Sequence, residues 1–247
     1  MNTRITPMLH IPAPAGKRLV WYLSMEEYLA QHAAEDMFFT WVVPPTVIFG
    51  RHQVMENEVN LDYCRARGVQ TYRRKSGGGC VYSDRGNLML SYITPDTHSE
   101  QVFQSYLDWV ADGLKALGFA AAKSEHNDVL IGDRKVSGNA CYALPTGTIV
   151  HGTMLYDVDF QALQQAITPS REKLAKHGVQ SVRQRVVNLK ALAQESGVEQ
   201  PALSDIDALA DYFSSRFCTT SRTLTKEEIA AINEIEQTYL DPAFIRG

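Results

Sequence analysis

The sequence lacks the marks of several large protein classes. Its four cysteines, Cys64, Cys80, Cys141 and Cys218, are widely spaced and form no CxxC pair, so neither a disulfide framework nor a cysteine zinc site is expected. The redox setting reads as cytosolic. No stretch approaches the ~18 to 20 apolar residues needed to cross a bilayer. The first residues, MNTRITPMLHIPAPAGKR, have no continuous apolar signal core. A cytoplasmic, unprocessed protein without membrane contact is expected. Internal repeats, low-complexity tracts and Gly/Ser/Pro-rich linkers are missing, as are the GxxxxGK(S/T) and GxGxxG phosphate-binding patterns. A net charge of -4 argues against general nucleic-acid binding. Residues 171 to 190 nevertheless carry Arg171, Lys173, Lys176, Arg183, Arg185 and Lys190 against Glu172. That basic segment faces phosphates, an acidic partner or simply water.

What the sequence does have is enough apolar material for one substantial core, 45% of 247 residues. One catalytic domain over residues 1–247 is expected, with a helical C-terminal end from about 202 to 247. A helix should start at Ser24, where Ser24 and Glu27 form a capping box, after a short strand from Leu19 to Leu23. The clearest helical stripe, Phe103, Tyr106, Leu107, Val110, Leu114 and Leu117, predicts a helix from Glu100 to Leu117 with Gly118 as its stop. Further helices fit 160–167, 204–217 and 225–239, the last with a Thr225/Glu228 capping box. Strand-like runs cover 38–43, 46–49, 69–73, 79–83, 87–94, 128–131, 134–141 and 147–155. Gly132-Asp133 reads as a two-residue hairpin turn and Pro145-Thr146-Gly147 as another reversal. The pattern favours an α+β fold, a mostly antiparallel sheet with packed helices, over a Rossmann arrangement.

Three segments are candidates for chemistry. In Arg73-Arg74-Lys75-Ser76-Gly77-Gly78-Gly79-Cys80-Val81-Tyr82, three glycines cost backbone entropy, which implies a conformation or a close approach that side chains would forbid. Their N–H groups, behind three cations, suit a phosphate or carboxylate; the alternative is a loose turn between strands. In Asn127-Asp128 to Ala140, the Gly132-Asp133 turn would pair Ile131 with Arg134, Leu130 with Lys135 and Asp128 with Ser137. Asp128, Leu130, Lys135 and Ser137 would then share a face. An ammonium there can follow charge from a carboxylate to a phosphoryl oxygen, although a surface ion pair is the usual outcome. His151-Gly152-Thr153 places a histidine inside a strand, where a hydrogen-bonded core residue is commoner than an acid or base, beside a glycine that marks a close approach. Cys80 and Cys141 are weighed as thioester nucleophiles and read as buried apolar residues instead.

Taken in order, the segments resemble the lipoate-protein ligase A family, within the group that includes biotin ligases and octanoyltransferases. The resemblance runs from about Leu23 to the C-terminus and rests on Ser24 to Leu29, Gly50-Arg51-His52-Gln53, RRKSGGGCVYSDRGN at 73–87, Asn127-Asp128, GDRKVSGNA at 132–140, His151-Gly152-Thr153 and Ser181 to Leu189. It implies the biotin/lipoate-protein ligase catalytic-domain fold. It also implies ATP-dependent activation of (R)-lipoate to lipoyl-AMP, with Mg2+, and transfer to a carrier lysine. Carried over residue by residue, Lys135 is the central catalytic group. Arg74, Gly77, Gly78, Gly79, Cys80, Val81, Tyr82, Asn127 and Asp128 hold the nucleotide, and Asp128 is the metal candidate. Arg74, Ser76, Gly79, Lys135, Ser137, Gly138, His151 and Gly152 meet lipoate.

The implied partners are apo lipoyl domains of 2-oxoacid dehydrogenase acyltransferase subunits or the glycine cleavage H protein, without nucleic acid or membrane. Cys80 and Ser83 depart from the alanine or threonine and the histidine that relatives often carry. The chain ends about where the large domain of two-domain relatives stops. No C-terminal accessory domain is therefore expected, and a separate activating protein becomes a candidate partner. The rivals are transfer of a preactivated acyl group, an octanoyltransferase working through a cysteine, and a non-catalytic lipoyl-domain binder. Octanoyltransferases usually place that cysteine before the Asn-Asp segment, and Ala120 to His126 contains none.

Overall fold

The structure is a computed structural model and describes residues 7–167 and 186–247. In chain order it runs β1 (Met8–His10), α1 (Leu19–Gln31), β2 (Met37–Trp41), β3 (Thr46–Phe49), α2 (Met55–Glu58), α3 (Leu61–Arg67), β4 (Gln70–Arg73), β5 (Val81–Ser83) and β6 (Asn87–Thr94). It continues with α4 (Ser99–Ala116), β7 (Ala121–Lys123), β8 (Asp128–Ile131), β9 (Arg134–Leu144), β10 (Gly147–Leu155) and α5 (Phe160–Ala166). After the undescribed residues come α6 (Leu189–Ser196), α7 (Ile206–Phe217), β11 (Cys218–Ser221), α8 (Lys226–Leu240) and α9 (Pro242–Arg246).

Eight strands form the main sheet in the order β11-β1-β2-β6-β10-β9-β8-β7, and β4-β3-β5 form a second, smaller sheet. Pairing is antiparallel except between β11, β1 and β2 and between β3 and β4, so the expected α+β class holds. Alternation sorts the side chains of the large sheet into two cores. Phe38, Leu90, Tyr92, Val150 and Met154 pack against α4 and α7. Phe39, Trp41, Met89, Ile93 and Ile149 pack against α1 and α8. A third cluster, including Val47, Phe49, Val59 and Leu163, fills the space beside the small sheet.

Two expectations are corrected. Residues 19–23 are not a strand, and the helix does not begin at Ser24: α1 starts at Leu19, with Arg18 at its N-cap, and Ser24 lies inside it, donating to the Val20 carbonyl. Burial on all sides explains the misreading, because Leu19 to Leu23 are a continuous apolar run that periodicity cannot assign. The β8–β9 hairpin also differs. Ile131–Arg134 and Leu130–Lys135 pair as expected, but a bulge then shifts the register, so Val129 faces Ser137 and Asp128 faces Gly138. One extra residue in β9 absorbs the shift; Val136 and Ser137 are both buried, and Val136 joins the core under α4.

Candidate active site

The glycine loop joins β4 to β5 and is organised from beneath by a buried cation. Arg74 is 5% exposed. Its guanidinium donates to the Gly77 carbonyl at 2.7 and 3.2 Å, to that of Gly79 at 2.8 Å and to that of Ile48 at 3.3 Å. Burial pushes its pKa down to about 10, so it stays charged at neutral pH. The loop's carbonyls are thus turned inward, whereas the amides of Gly77, Gly78 and Gly79 donate to no protein group among the described residues. Gly78 needs its left-handed φ of 92°. Gly50 lies so close beneath that any Cβ there would overlap the Gly78 carbonyl oxygen. Arg73 fixes the same turn from behind, donating to the carbonyls of Arg51 and Gln53 at 2.7 and 2.8 Å and to those of Ile245 and Arg246 in α9 at 3.1 and 2.8 Å.

A hydrogen-bonded chain carries this loop onto the large sheet. Ser76 Oγ lies 3.0 Å from His151 Nε2, and His151 Nδ1 lies 2.8 Å from Glu26 Oε2 on α1. The other Glu26 oxygen accepts from Ser91, which accepts from Trp41 Nε1. A carboxylate at 2% exposure is costly unless satisfied in this way. Beside it, Lys75 Nζ pairs with Glu27 at 2.7 Å, and Tyr239 donates to Glu27 at 3.0 Å. Burial, followed by the Glu27 charge, raises the Tyr239 phenol well above its usual range.

Lys135 sits at the β9 end of the same sheet face. Its Nζ is 2.7 Å from Asp128 Oδ1, with the two side chains 33% and 27% exposed. The contact is ionic and badly angled for hydrogen bonding, since that oxygen has no hydrogen-bond partner. The bulge replaces Ser137 by Gly138 as the neighbour of Asp128. Ser137 is fully buried and donates to Asn139 Oδ1, so the structure does not bring it to Lys135. Gly138 is tied to the next strand, its N–H donating to Thr153 Oγ1 at 3.0 Å.

Other expected residues divide by face. His151 looks toward α1, while Gly152 looks the other way, where a Cβ would meet the Asn139 side chain and, at 2.8 Å, the Tyr106 hydroxyl. The structure therefore does not place these two on one pocket wall. Asn127 donates to the Asn139 carbonyl at 2.9 Å and its own carbonyl accepts the Asn139 amide, a clamp that sets the approach to Asp128. Tyr82 is buried in the third cluster, where desolvation and then Asp84 raise its pKa; Val81 and Cys80 flank the loop half-buried.

Burial raises the Cys141 thiol to about 11 and that of Cys218 to about 12, which leaves little thiolate at neutral pH. Among the described residues no group of three or more His, Cys, Asp or Glu is arranged for a metal. Arg171, Lys173, Lys176, Arg183 and Arg185, with Ser181 to Arg185 of the resemblance, lie outside the described residues. Lys190 is described and pairs with Asp157 at 2.6 Å. Glu26, Trp41, Ser91 and Tyr239 were not singled out from the sequence. The available signal was a pair of acids, Glu26 and Glu27, inside an apolar helical run.

Residues 20–213 match the family described as the lipoyl protein ligase A/B catalytic domain. The chain is 36% identical over 171 residues to lipoate–protein ligase 1 of Staphylococcus aureus, covering 68% of this chain and 52% of that protein. It is 35% identical over 170 residues to the lipoate-protein ligase LplJ of Bacillus subtilis, covering 68% and 51%. The chain thus spans about half the length of these curated relatives. Among solved structures it resembles one from a bi-partite lipoate protein ligase and its E2 lipoyl domain of Thermoplasma acidophilum. That likeness has a TM-score of 0.81 at 25% identity and covers 99% of this chain and 97% of the other.

Proposed function

The chain belongs to the lipoyl protein ligase A/B catalytic-domain family, and from that premise we propose that it joins lipoic acid to a lysine of a lipoyl carrier domain through lipoyl-AMP. The observation that carries the reading is a shared support on β10: the Ser76–His151–Glu26 chain ties the loop with its unused glycine amides to that strand, and Gly138, against which the half-exposed Lys135 lies, is hydrogen-bonded to Thr153 two residues along it. Such a site offers fixed donors where negative charge develops.

In the first step a lipoate carboxylate oxygen attacks the α-phosphorus of ATP and pyrophosphate leaves. Lys135 leaves Asp128 to follow the charge from carboxylate to phosphoryl oxygen, and the Gly77 to Gly79 amides receive phosphate oxygens. Arg74 acts from beneath by holding those amides outward, and Asn127 by holding Asp128. Magnesium fits the single half-exposed Asp128 carboxylate, because this ion is usually held by one or two carboxylates together with substrate phosphates. When bound it offsets phosphate charge. In the second step the carrier amine attacks the acyl carbonyl, AMP leaves, and the new amide sheds a proton. Alignment and exclusion of water are what the protein supplies there. Ser76 and His151 line the acyl side. The raised Cys141 thiol supports leaving cysteine out.

The proposed acceptors are apo lipoyl domains of acyltransferase subunits, with the glycine cleavage H protein as a further candidate. A cytoplasmic setting is proposed from the wide spacing of the four cysteines, which offers no disulfide framework. No helix among the described residues is long and apolar enough to cross a membrane. The bi-partite neighbour favours a second reading, in which a separate protein is required for the adenylation step. One experiment tests both: apo lipoyl domain is incubated with the chain and either ATP, magnesium and lipoate, or synthetic lipoyl-AMP, and its mass is read. A mass gain in both tubes supports the complete ligase, a gain with lipoyl-AMP alone supports the two-protein reading, and no gain in either overturns the proposal.

A further inference from the structure

Glycine at position 138 answers no backbone demand, since this residue is not among those with positive φ; what it provides is room for a side-chain tip. A Cβ built on Gly138 would run into Nζ and Cε of Lys135, and would lie 3.7 Å from Asp128 Oδ1. The end of the lysine side chain therefore lies across the bare Cα of Gly138. Two features hold this berth in register. The bulge removes Ser137 to the opposite face and sets Gly138 opposite Asp128. Thr153 Oγ1 accepts the Gly138 N–H at 3.0 Å and lies 3.3 Å from the Gly138 carbonyl oxygen, tying the berth to β10 and so to the strand that carries His151.

We propose that Gly138 is a positioning residue, acting through Lys135 and not through contact with lipoate, and that Thr153 and the β9 bulge fix the seat on which the ammonium rests. The proposal deepens the ligase reading and rests on it for its kinetic consequence. Gly138→Ala leaves the backbone conformation accessible and forces the lysine tip aside. The added methyl stays beneath the lysine when its ammonium swings from Asp128 to the substrate, and a displacement of about 1 Å in a reacting group lowers rate by about 100-fold, so kcat for adenylate formation should fall by about that factor while KM for lipoate changes little. Thr153→Val removes the hydrogen bond without adding a clash and should give a smaller loss of the same kind, which Thr153→Ser restores.

The test is a double-mutant cycle together with a measurement that needs no activity. Pyrophosphate release is measured for the wild-type chain, Gly138→Ala, Lys135→Ala and the double variant, with the last two at enzyme concentrations raised until the residual Lys135→Ala rate is quantified well above the no-enzyme blank. Loss from Gly138→Ala in the wild-type background and none in the Lys135→Ala background is the expected result. Equal loss in both shows a structural role and overturns the proposal. Separately, limited acetylation with acetic anhydride is read by peptide mass at Lys135 against exposed Lys226. Relative labelling of Lys135 should rise in Gly138→Ala and in Thr153→Val; unchanged labelling in both overturns the berth. Because labelling requires no turnover, it decides the question even where the ligase reading itself fails.

Discussion

The two sides of the site hold their charges in opposite ways. On the glycine-loop side, Arg73 and Arg74 are 4% and 5% exposed, and the guanidinium contacts given above are all to backbone carbonyls. On the hairpin side, Lys135 and Asp128 are 33% and 27% exposed and meet through one poorly angled contact. Buried charges meeting many dipoles make a rigid scaffold, because removing either partner strands the other away from water. A half-exposed pair contributes little to stability and is free to exchange partners. The comparison teaches where this fold keeps its immobile and its mobile charge: the first shapes the amides, and the second is free to answer a charge brought to it.

Substitutions separate the two sides by their effect on stability. Arg74→Met should cost most, about 3 kcal/mol, since it leaves the Gly77 and Gly79 carbonyls without their donor; urea unfolding with the slope compared to wild type measures it. A cost under about 1 kcal/mol would make the scaffold account wrong. Gly50→Ala comes next, at about 2 kcal/mol, because its Cβ meets loop backbone and not a flexible side-chain tip. Hydrogen exchange of the 74–80 amides should rise with it. Glu27→Gln should cost about 1 kcal/mol: the Tyr239 hydrogen bond is retained and the charge opposite Lys75 is lost. Its thermal midpoint should become less sensitive to salt than that of the wild type.

Much of this was legible in the sequence where the signal was local. The α4 stripe, the Thr225/Glu228 capping box and the strand before Gly132-Asp133 appear within a residue or two of where patterning puts them, and the strand after it starts as expected at Arg134 but runs three residues further, to Leu144. Gly132 takes the positive φ of 65° that the turn demands. The short strands β1, β7 and β11 gave no alternation to read, because three or four residues carry too few positions. Site chemistry followed the same division. Lys135 and Asp128 are close in sequence, and their meeting was anticipated. The bulge that turns Ser137 inward was not, since a one-residue slip leaves no mark on composition. Glu26, Ser91 and His151 lie 60 or more residues apart and are joined only by packing. The two arginines were read as cations facing a ligand, while the structure spends both on carbonyls.

The smallest predicted effect on stability sharpens the comparison most. Lys135→Ala removes one partner of a half-exposed, poorly angled pair, so unfolding free energy should stay within about 0.5 kcal/mol of wild type. Asp128 Oδ1 is buried under the lysine and already lacks a hydrogen-bond partner, and loss of the lysine side chain uncovers it, so the carboxylate exchanges an ionic contact for water. The same variant should nearly abolish pyrophosphate release, because no other described cation shares Asp128 with it. Unfolding curves and the half-reaction measured on one preparation check both halves of the claim. A large loss of stability would move Lys135 into the scaffold beside Arg74, and undiminished pyrophosphate release would remove it from the mechanism. Retained stability with lost turnover is the signature of a charge held for its motion and not for the fold.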